Sequence, residues 1–214
     1  LSKNSSVKRV FYSSSSEVYG EPVELPQHEQ TTPLNSRVPY AVVKNVGESF
    51  FRSYQKVYGL PYTIFRFFNT YGPRSRTTGA YGAVFGIFLA QKIAKKPLTI
   101  VGDGNQTRDF IHVFDLVEAT VKAAELGKNK EIYNVASGKE TSVNYIAELI
   151  AGDKVSTPKR PGEPDRSLAD ISKIKSELKW QPKISINKGV EMLLNDVNDW
   201  KDAPVWTPKT IEEA

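Results

Sequence analysis

Val7 to Gly20 reads VKRVFYSSSSEVYG, and the fold class turns on how this stretch is read. Val7 to Tyr12 alternates poorly and becomes apolar at its end, which predicts a short buried strand of a parallel sheet. Such a strand delivers Ser13 to Ser16 to its carboxyl edge, where ligands bind in open α/β sheets. Pro22 to Pro39 is rich in Pro, Gln, Thr and Asn and reads as a loop. Tyr40 to Tyr58 then shows a helical pattern through Ala41, Val42, Val46, Phe50, Phe51 and Tyr54, stopped by Gly59 and Pro61. Tyr62 to Phe68 is the next strand. A helix over Ala83 to Ala94 is apolar almost throughout and is expected to be buried. Leu98 to Val101 follows as a strand, Gly102-Asp103-Gly104-Asn105 as a turn, Val113 to Leu126 as a helix and Ile132 to Val135 as a strand. The tail holds three amphipathic stretches, Val143 to Ile150, Ile171 to Leu178 and Ile186 to Trp200, with the loop Pro158 to Pro164 between the first two. Strands alternating with helices predict an α/β fold with parallel strands, and the helical tail suggests a smaller cap over the sheet edge.

Composition narrows the chemistry. The chain has 214 residues, enough for one domain of ordinary size or part of a larger one. It has no cysteine and two histidines, His28 and His112, which excludes a disulfide framework and a thiolate metal site and argues against metal catalysis. No apolar run reaches about 18 residues, and LSKNSSVKRV lacks the apolar centre of a signal peptide, so a soluble, cytoplasmic protein is expected. The net charge of +5 suits an anionic partner. The basic residues are scattered, as in Lys95-Lys96 and Lys159-Arg160, and are not interleaved with aromatics on one element. A small phosphorylated ligand is therefore favoured over a nucleic acid.

Tyr40 and Lys44 stand four residues apart, a spacing that stacks phenol and ammonium on one helix face. An ammonium beside a phenol favours the phenolate, and a hydroxyl from Ser15 could hold a reacting oxygen between them. Together they would form a proton-transfer centre for carbon–oxygen redox chemistry. A Tyr four residues ahead of a Lys is common by chance, so the flanking sequence has to carry the identification.

That sequence is informative. SSSSEVYG, PYAVVK, RFFNTYGPR (Arg66 to Arg74), GDGNQTRDFIHVFDL (Gly102 to Leu116) and PKRPGEPDRSLADISK occur in this order over nearly the whole chain. They resemble the extended short-chain dehydrogenase/reductase family of NAD-dependent nucleotide-sugar epimerases, dehydratases and decarboxylases. The resemblance implies the C-terminal part of a Rossmann-like parallel sheet with a smaller α/β substrate-binding cap. Residues 1–72 would be the C-terminal part of the NAD-binding domain and 73–214 mainly the cap, with 106–136 returning to the Rossmann domain. It also implies roles. Ser15 bonds the sugar oxygen, Tyr40 is the general base, and Lys44 assists the phenol and bonds the nicotinamide ribose. Phe67 and Asn69 border the nicotinamide, Asn69 also reaches the substrate, and Arg108 and Arg166 grip its diphosphate. A guanidinium fork suits phosphate oxygens; the alternative readings are a salt bridge from Arg108 to Asp109 or Asp103 and a loop charge beside Asp165 for Arg166.

Family members that eliminate water usually carry an Asp-Glu pair after the hydroxyl residue, whereas this chain has Ser16-Glu17. A lone catalytic Glu17 suits an epimerase or a decarboxylase, and the same carboxylate also suits a backbone cap. Tyr19 is expected to pack at the mouth of the site, His112 to be a hydrogen-bonded structural residue, and Asp115 to cap the following helix. The activity implied is 4-epimerisation of a UDP-hexose through a transient 4-keto sugar. The alternatives are UDP-glucuronate decarboxylation, 4,6-dehydration, and a non-catalytic sugar-nucleotide binding or dimerisation module. The helix over Tyr40 to Tyr58 corresponds to the family's dimer interface, so the full-length enzyme is expected to be a homodimer. The family's Gly-rich dinucleotide turn has no match beyond the faint Gly79 to Gly86, whose spacing is off by one. The 214 residues are therefore expected to be a fragment, inactive by itself and weak in NAD binding.

Overall fold

The computed structural model describes residues 6–78, 84–159 and 164–208. The Gly-rich run Gly79 to Gly86 thus lies largely outside the described residues, as does the middle of the loop Pro158 to Pro164.

Strands β1 (Val10–Ser15), β2 (Tyr62–Phe67) and β6 (Glu131–Val135) form a parallel sheet in the order β1-β2-β6. β1 begins three residues later than expected and runs through the serines, because Ser13, Ser14 and Ser15 pair with Phe65, Arg66 and Phe67 of a fully laddered neighbour. That ladder satisfies the backbone of residues with low strand preference. Val7 and Phe11 remain exposed, so this strand is buried on one face only.

Helix α1 (Pro39–Tyr58) starts with Pro39 at its first position and ends at Gly59, which takes the left-handed conformation at φ 71° and donates its N–H to the Gln55 carbonyl. Gly47 sits mid-helix, where glycine costs about 1 kcal/mol relative to alanine. A Cβ there would lie 2.0 Å from the Tyr12 hydroxyl, so its absence lets α1 settle on β1. The apolar periodicity located this helix but not its buried side: Val42, Val46 and Phe50 face outward, while Ala41 and Glu48 are buried.

A second sheet pairs β3 (Asn69–Tyr71) with β5 (Thr107–His112) in parallel and β5 with β7 (Glu140–Ser142) antiparallel. β4 (Leu98–Val101) pairs with β8 (Lys154–Thr157) in a third. β3, β5, β7 and β8 are absent from the expected pattern because they are short and carry polar residues. The apolar helix expected over Ala83 to Ala94 is α2 (Val84–Ile93), buried from Phe85 through Gln91. α3 (Val113–Leu126), α4 (Val143–Ile150) and α5 (Ser172–Leu178) follow expectation. The stretch Ile186 to Trp200 divides at Asp196 into α6 (Ile186–Asn195) and a short 3-10 turn, Val197–Trp200.

Two apolar clusters result. One, with Phe65, Phe68, Tyr133, Ile174 and Trp180, lies beneath the β1-β2-β6 sheet. The other, with Phe85, Leu98, Ile146, Leu193 and Trp206, joins α2, α4 and α6 to β4.

Candidate active site

α1 reaches the carboxyl end of β1 with its cationic side chain. Lys44 Nζ donates to the Ser13 carbonyl at 2.7 Å and lies 5.5 Å from the Tyr40 ring centroid and 5.6 Å from that of Tyr12. The Tyr12 hydroxyl in turn donates to the Lys44 carbonyl at 3.3 Å. Burial, and then the charge of Glu48, push the Tyr12 phenol above its ordinary value. Tyr40 is 40% exposed near the start of α1.

Ser15 is buried at the end of β1, where its Oγ accepts the Glu17 N–H at 3.2 Å and caps the 3-10 turn Ser16–Tyr19. Its O–H proton is still available for donation to a ligand. Glu17 is half-buried in the first turn of that segment. Phe67, half-buried, ends β2 stacked on Phe65 at 5.5 Å. Asn69 opens β3, and its Oδ1 is buried without a donor among the described residues. The structure thus places Ser15 and Phe67 at the paired carboxyl ends of β1 and β2, Glu17 and Asn69 two residues beyond them, and Lys44, one turn from Tyr40 at the start of α1, on the Ser13 carbonyl.

Arg108 and Arg166 line a separate cleft of about 440 Å³ together with Asp103, Asn105, Lys159 and Asp165. The β3–β5 ladder links it to the sheet edge, since Asn69 pairs with Phe110, two residues from Arg108. Arg108 is buried, and its Nη1 donates to the Thr107 carbonyl at 2.9 Å. Arg166 forks onto Glu140, Nε to Oε1 at 2.9 Å and Nη2 to Oε2 at 2.6 Å, and Thr107 Oγ1 donates to the same carboxylate at 2.7 Å. Those Arg166 bonds hold Glu140 below the usual carboxylate range. Lys159 pairs with Asp165, which raises the lysine and takes up the carboxylate expected beside Arg166. Arg108, Lys159 and Arg166 stand against Asp103, Asp165 and Glu140, so the cleft suits a polar, anionic ligand that takes the place of a carboxylate partner.

Two expectations need correction, those for Tyr19 and Asp115, while His112 is the hydrogen-bonded structural residue expected. Tyr19 is 2% exposed, inside the molecule rather than at a mouth, with its phenol pushed up to about 12 by burial. The cap of α3 is His112, whose Nδ1 accepts the Phe114 N–H at 3.3 Å. Asp115 instead accepts the N–H groups of Lys183 and Ile184, at 3.1 and 2.9 Å, and ties the lead-in of α6 to α3.

One cluster was missed by sequence reasoning. Glu48 and Arg66, 0% and 1% exposed, form a forked pair, Nε to Oε1 at 2.9 Å and Nη2 to Oε2 at 2.8 Å. Ser14 Oγ donates to Glu48 Oε1 at 2.7 Å and Arg52 Nη2 to Oε2 at 3.0 Å. Arg66 Nη1 donates to the Tyr19 hydroxyl at 2.9 Å, and that hydroxyl donates to Asn134 Oδ1 at 2.7 Å. Ser14, Arg66 and Asn134 are register partners, so the network is a polar row crossing all three strands. Two signals in the sequence point to it: Glu48 extends the Tyr40, Lys44 spacing by one more turn, and Arg66 is a charge in the middle of the apolar run YTIFRFF.

Comparison with known proteins shows the family of the chain. The family model described as GDP-mannose 4,6 dehydratase matches residues 2–193. A Methanocaldococcus jannaschii protein named provisionally as a UDP-glucose 4-epimerase is 40% identical over 194 residues, covering 88% of this chain and 62% of the relative. UDP-glucuronic acid decarboxylase 1 of Arabidopsis thaliana is 36% identical over 200 residues, covering 88% of this chain and 45% of that protein. In structure, the chain is similar to the UDP-glucuronic acid 4-epimerase of Bacillus cereus in complex with UDP-glucuronic acid and NAD. The TM-score is 0.84 at 33% identity, over 92% of this chain and 63% of that one. The chain therefore spans less than two thirds of the length of each of these relatives.

Proposed function

This chain belongs to the GDP-mannose 4,6 dehydratase family, and from that membership we propose that it serves an NAD-dependent nucleoside-diphosphate-sugar 4-epimerase acting on a UDP-hexose. The observation that carries the reading is the bond from Lys44 Nζ to the Ser13 carbonyl. It draws the phenol and ammonium of α1 to the end of the strand on which the Ser15 hydroxyl emerges.

In this reading Tyr40 takes the proton from the sugar's 4-hydroxyl and returns it, and Lys44 stabilises the charge that develops on the phenol. Ser15 donates a hydrogen bond to the reacting oxygen. Arg108 and Arg166 bind the diphosphate, which fixes the sugar's reach from the cleft to the sheet edge. The edge also fits a nicotinamide cofactor, because a buried acceptor, Asn69 Oδ1, lacks a donor among the described residues and Lys44 presents an ammonium at the Ser13 carbonyl. Lys44, Tyr40, Phe67 and Asn69 would hold that end of NAD. When bound there, NAD would supply the hydride acceptor and donor for the sugar carbon. Residues 1–72 and 106–136 are assigned to the cofactor-binding part, a division supported by the pairing of β6 with β2. The outward Val42, Val43, Val46 and Phe50 of α1 suit a homodimer contact with a second copy. No helix of the described residues is long and apolar enough to cross a membrane.

The second reading, UDP-glucuronate decarboxylation, is favoured by Ser16-Glu17 and by the Arabidopsis relative. The test is kinetic, on the full-length gene product. Tyr40→Phe is expected to lower turnover of UDP-glucose by about 100-fold or more with little change in the substrate constant, since the phenol acts on a proton in the transition state. Equal losses in binding and turnover would remove Tyr40 from the chemistry. Release of CO2 from UDP-glucuronate without epimerisation of UDP-glucose would select the second reading.

A further inference from the structure

We infer that the buried Glu48–Arg66 pair is the positioning strut of the site, holding the Tyr40–Lys44 face of α1 against the serine end of β1. The inference rests on the Tyr40–Lys44 reading above and adds two residues that touch no reacting atom.

α1 lacks the apolar seam that orients most helices. Ala41 is its one fully buried apolar side chain among the described residues, and Phe51 is half-buried against Tyr12. An alanine methyl gives little, whereas a buried leucine contributes about 1.5–3 kcal/mol. What fixes the helix in rotation and along its axis is therefore directional. Tyr40, Lys44 and Glu48 follow one another at four-residue intervals on the face toward β1. Gly47 lets the Tyr12 ring come against the backbone of that face.

Glu48 closes the arrangement. Its carboxylate receives four hydrogen bonds, from Ser14, twice from Arg66 and from Arg52, which uses its acceptor capacity in full. Ser14 precedes Ser15 on β1, and Arg66 lies opposite Ser14 on β2, three residues before Asn69. One carboxylate thus joins the three elements that end at the site. A forked guanidinium pair allows little sliding or rotation, unlike an apolar contact. Burial gives it cost as well as rigidity, and an apolar pair in its place can fold as well or better. A positioning role explains why this helix is docked through charge.

The experiment follows from that point and uses the full-length gene product. Glu48→Met with Arg66→Met removes both charges together. Its melting temperature is expected to stay near that of the parent, with kcat for UDP-glucose falling about 10- to 100-fold at nearly constant KM, as a misplacement near 1 Å would cause. Hydrogen exchange of amides 40–44 is expected to quicken while the most protected amides keep their rates. Ser14→Ala is the milder variant, with the ion pair intact. It is expected to show the same signs at about a threefold level, from loss of one charge-assisted bond partly compensated by the other three. Normal kcat and unchanged exchange at 40–44 in either variant, once folded, would overturn the strut. A parent enzyme that does not turn over UDP-glucose, with exchange still quickened in the variants, would overturn the proposed reaction and leave the strut standing.

Discussion

Glu48 and Arg66 meet at 0% and 1% exposure between α1 and the sheet, whereas Arg166 and Lys159, 57% and 61% exposed, meet their carboxylates at the rim of an open cleft. The chemistry of the partners is alike and only the solvent differs. A dry pair cannot exchange partners without stranding a charge, so it fixes geometry. A wet pair contributes little stability and can give up its carboxylate for a ligand's phosphate. The difference teaches where the molecule needs permanence and where it needs exchange: the catalytic helix is pinned, and the cations facing the cleft are kept available.

The largest break in this contrast is Arg66→Met alone. It leaves the Glu48 carboxylate buried with only Ser14 and Arg52, and a loss of about 3–5 kcal/mol is expected in urea unfolding. A loss under about 1 kcal/mol would mean that water reaches the pair and that the two clusters do not differ in kind.

A second effect comes from a buried acid near the cleft. Asp109 is pushed up to about 6 by burial, opposed by bonds from Ser137, Gly138 and Ala169. A carboxyl whose folded value lies above its unfolded one contributes stability that is complete below about pH 4 and is lost as pH rises through about 6. The stability difference between the parent and Asp109→Asn should therefore shrink by roughly 2–3 kcal/mol between pH 4 and 7. A difference that is flat with pH, measured by denaturant titration, would show that Asp109 is ionised throughout.

Arg108→Ala sharpens the comparison from the ligand's side. Loss of a charge-assisted phosphate contact is expected to weaken UDP binding by about 1.5–3 kcal/mol in calorimetry, with kcat largely retained at saturation. Unchanged UDP affinity would take Arg108 out of the site. The smallest effect belongs to Glu140→Gln, for which no measurable change in melting temperature is expected because its partner Arg166 is exposed. A fall as large as that of Arg66→Met would erase the distinction.

The sequence made the periodic parts of this structure legible and left the long-range ones hidden. Tyr40 and Lys44 could be placed together because a helix relates them by one turn, and β2 was visible as a mainly apolar and aromatic run despite Arg66. Thr107–His112 hid its strand because Asp109 and Arg108 look like surface residues until Ser137, Gly138 and Ala169 are brought to the carboxylate. Asp115 finds its partners 68 and 69 residues away, so a local capping rule assigned it the nearer task. The outward valines of α1 show the same limit: periodicity marks a stripe but not what it faces. Glu48 becomes meaningful only when the β1–β2 register sets Arg66 opposite Ser14.

The polar row Ser14, Arg66, Asn134 also bears on how the chain finds its pairing. Side chains alternate between faces along a strand, so slipping β2 by one position would turn the Arg66 guanidinium onto the face where Phe65 packs. There the guanidinium would be buried without the Glu48 carboxylate, a costly state for a charge. The same arginine thus acts as a spelling check on the strand alignment, independent of any ligand.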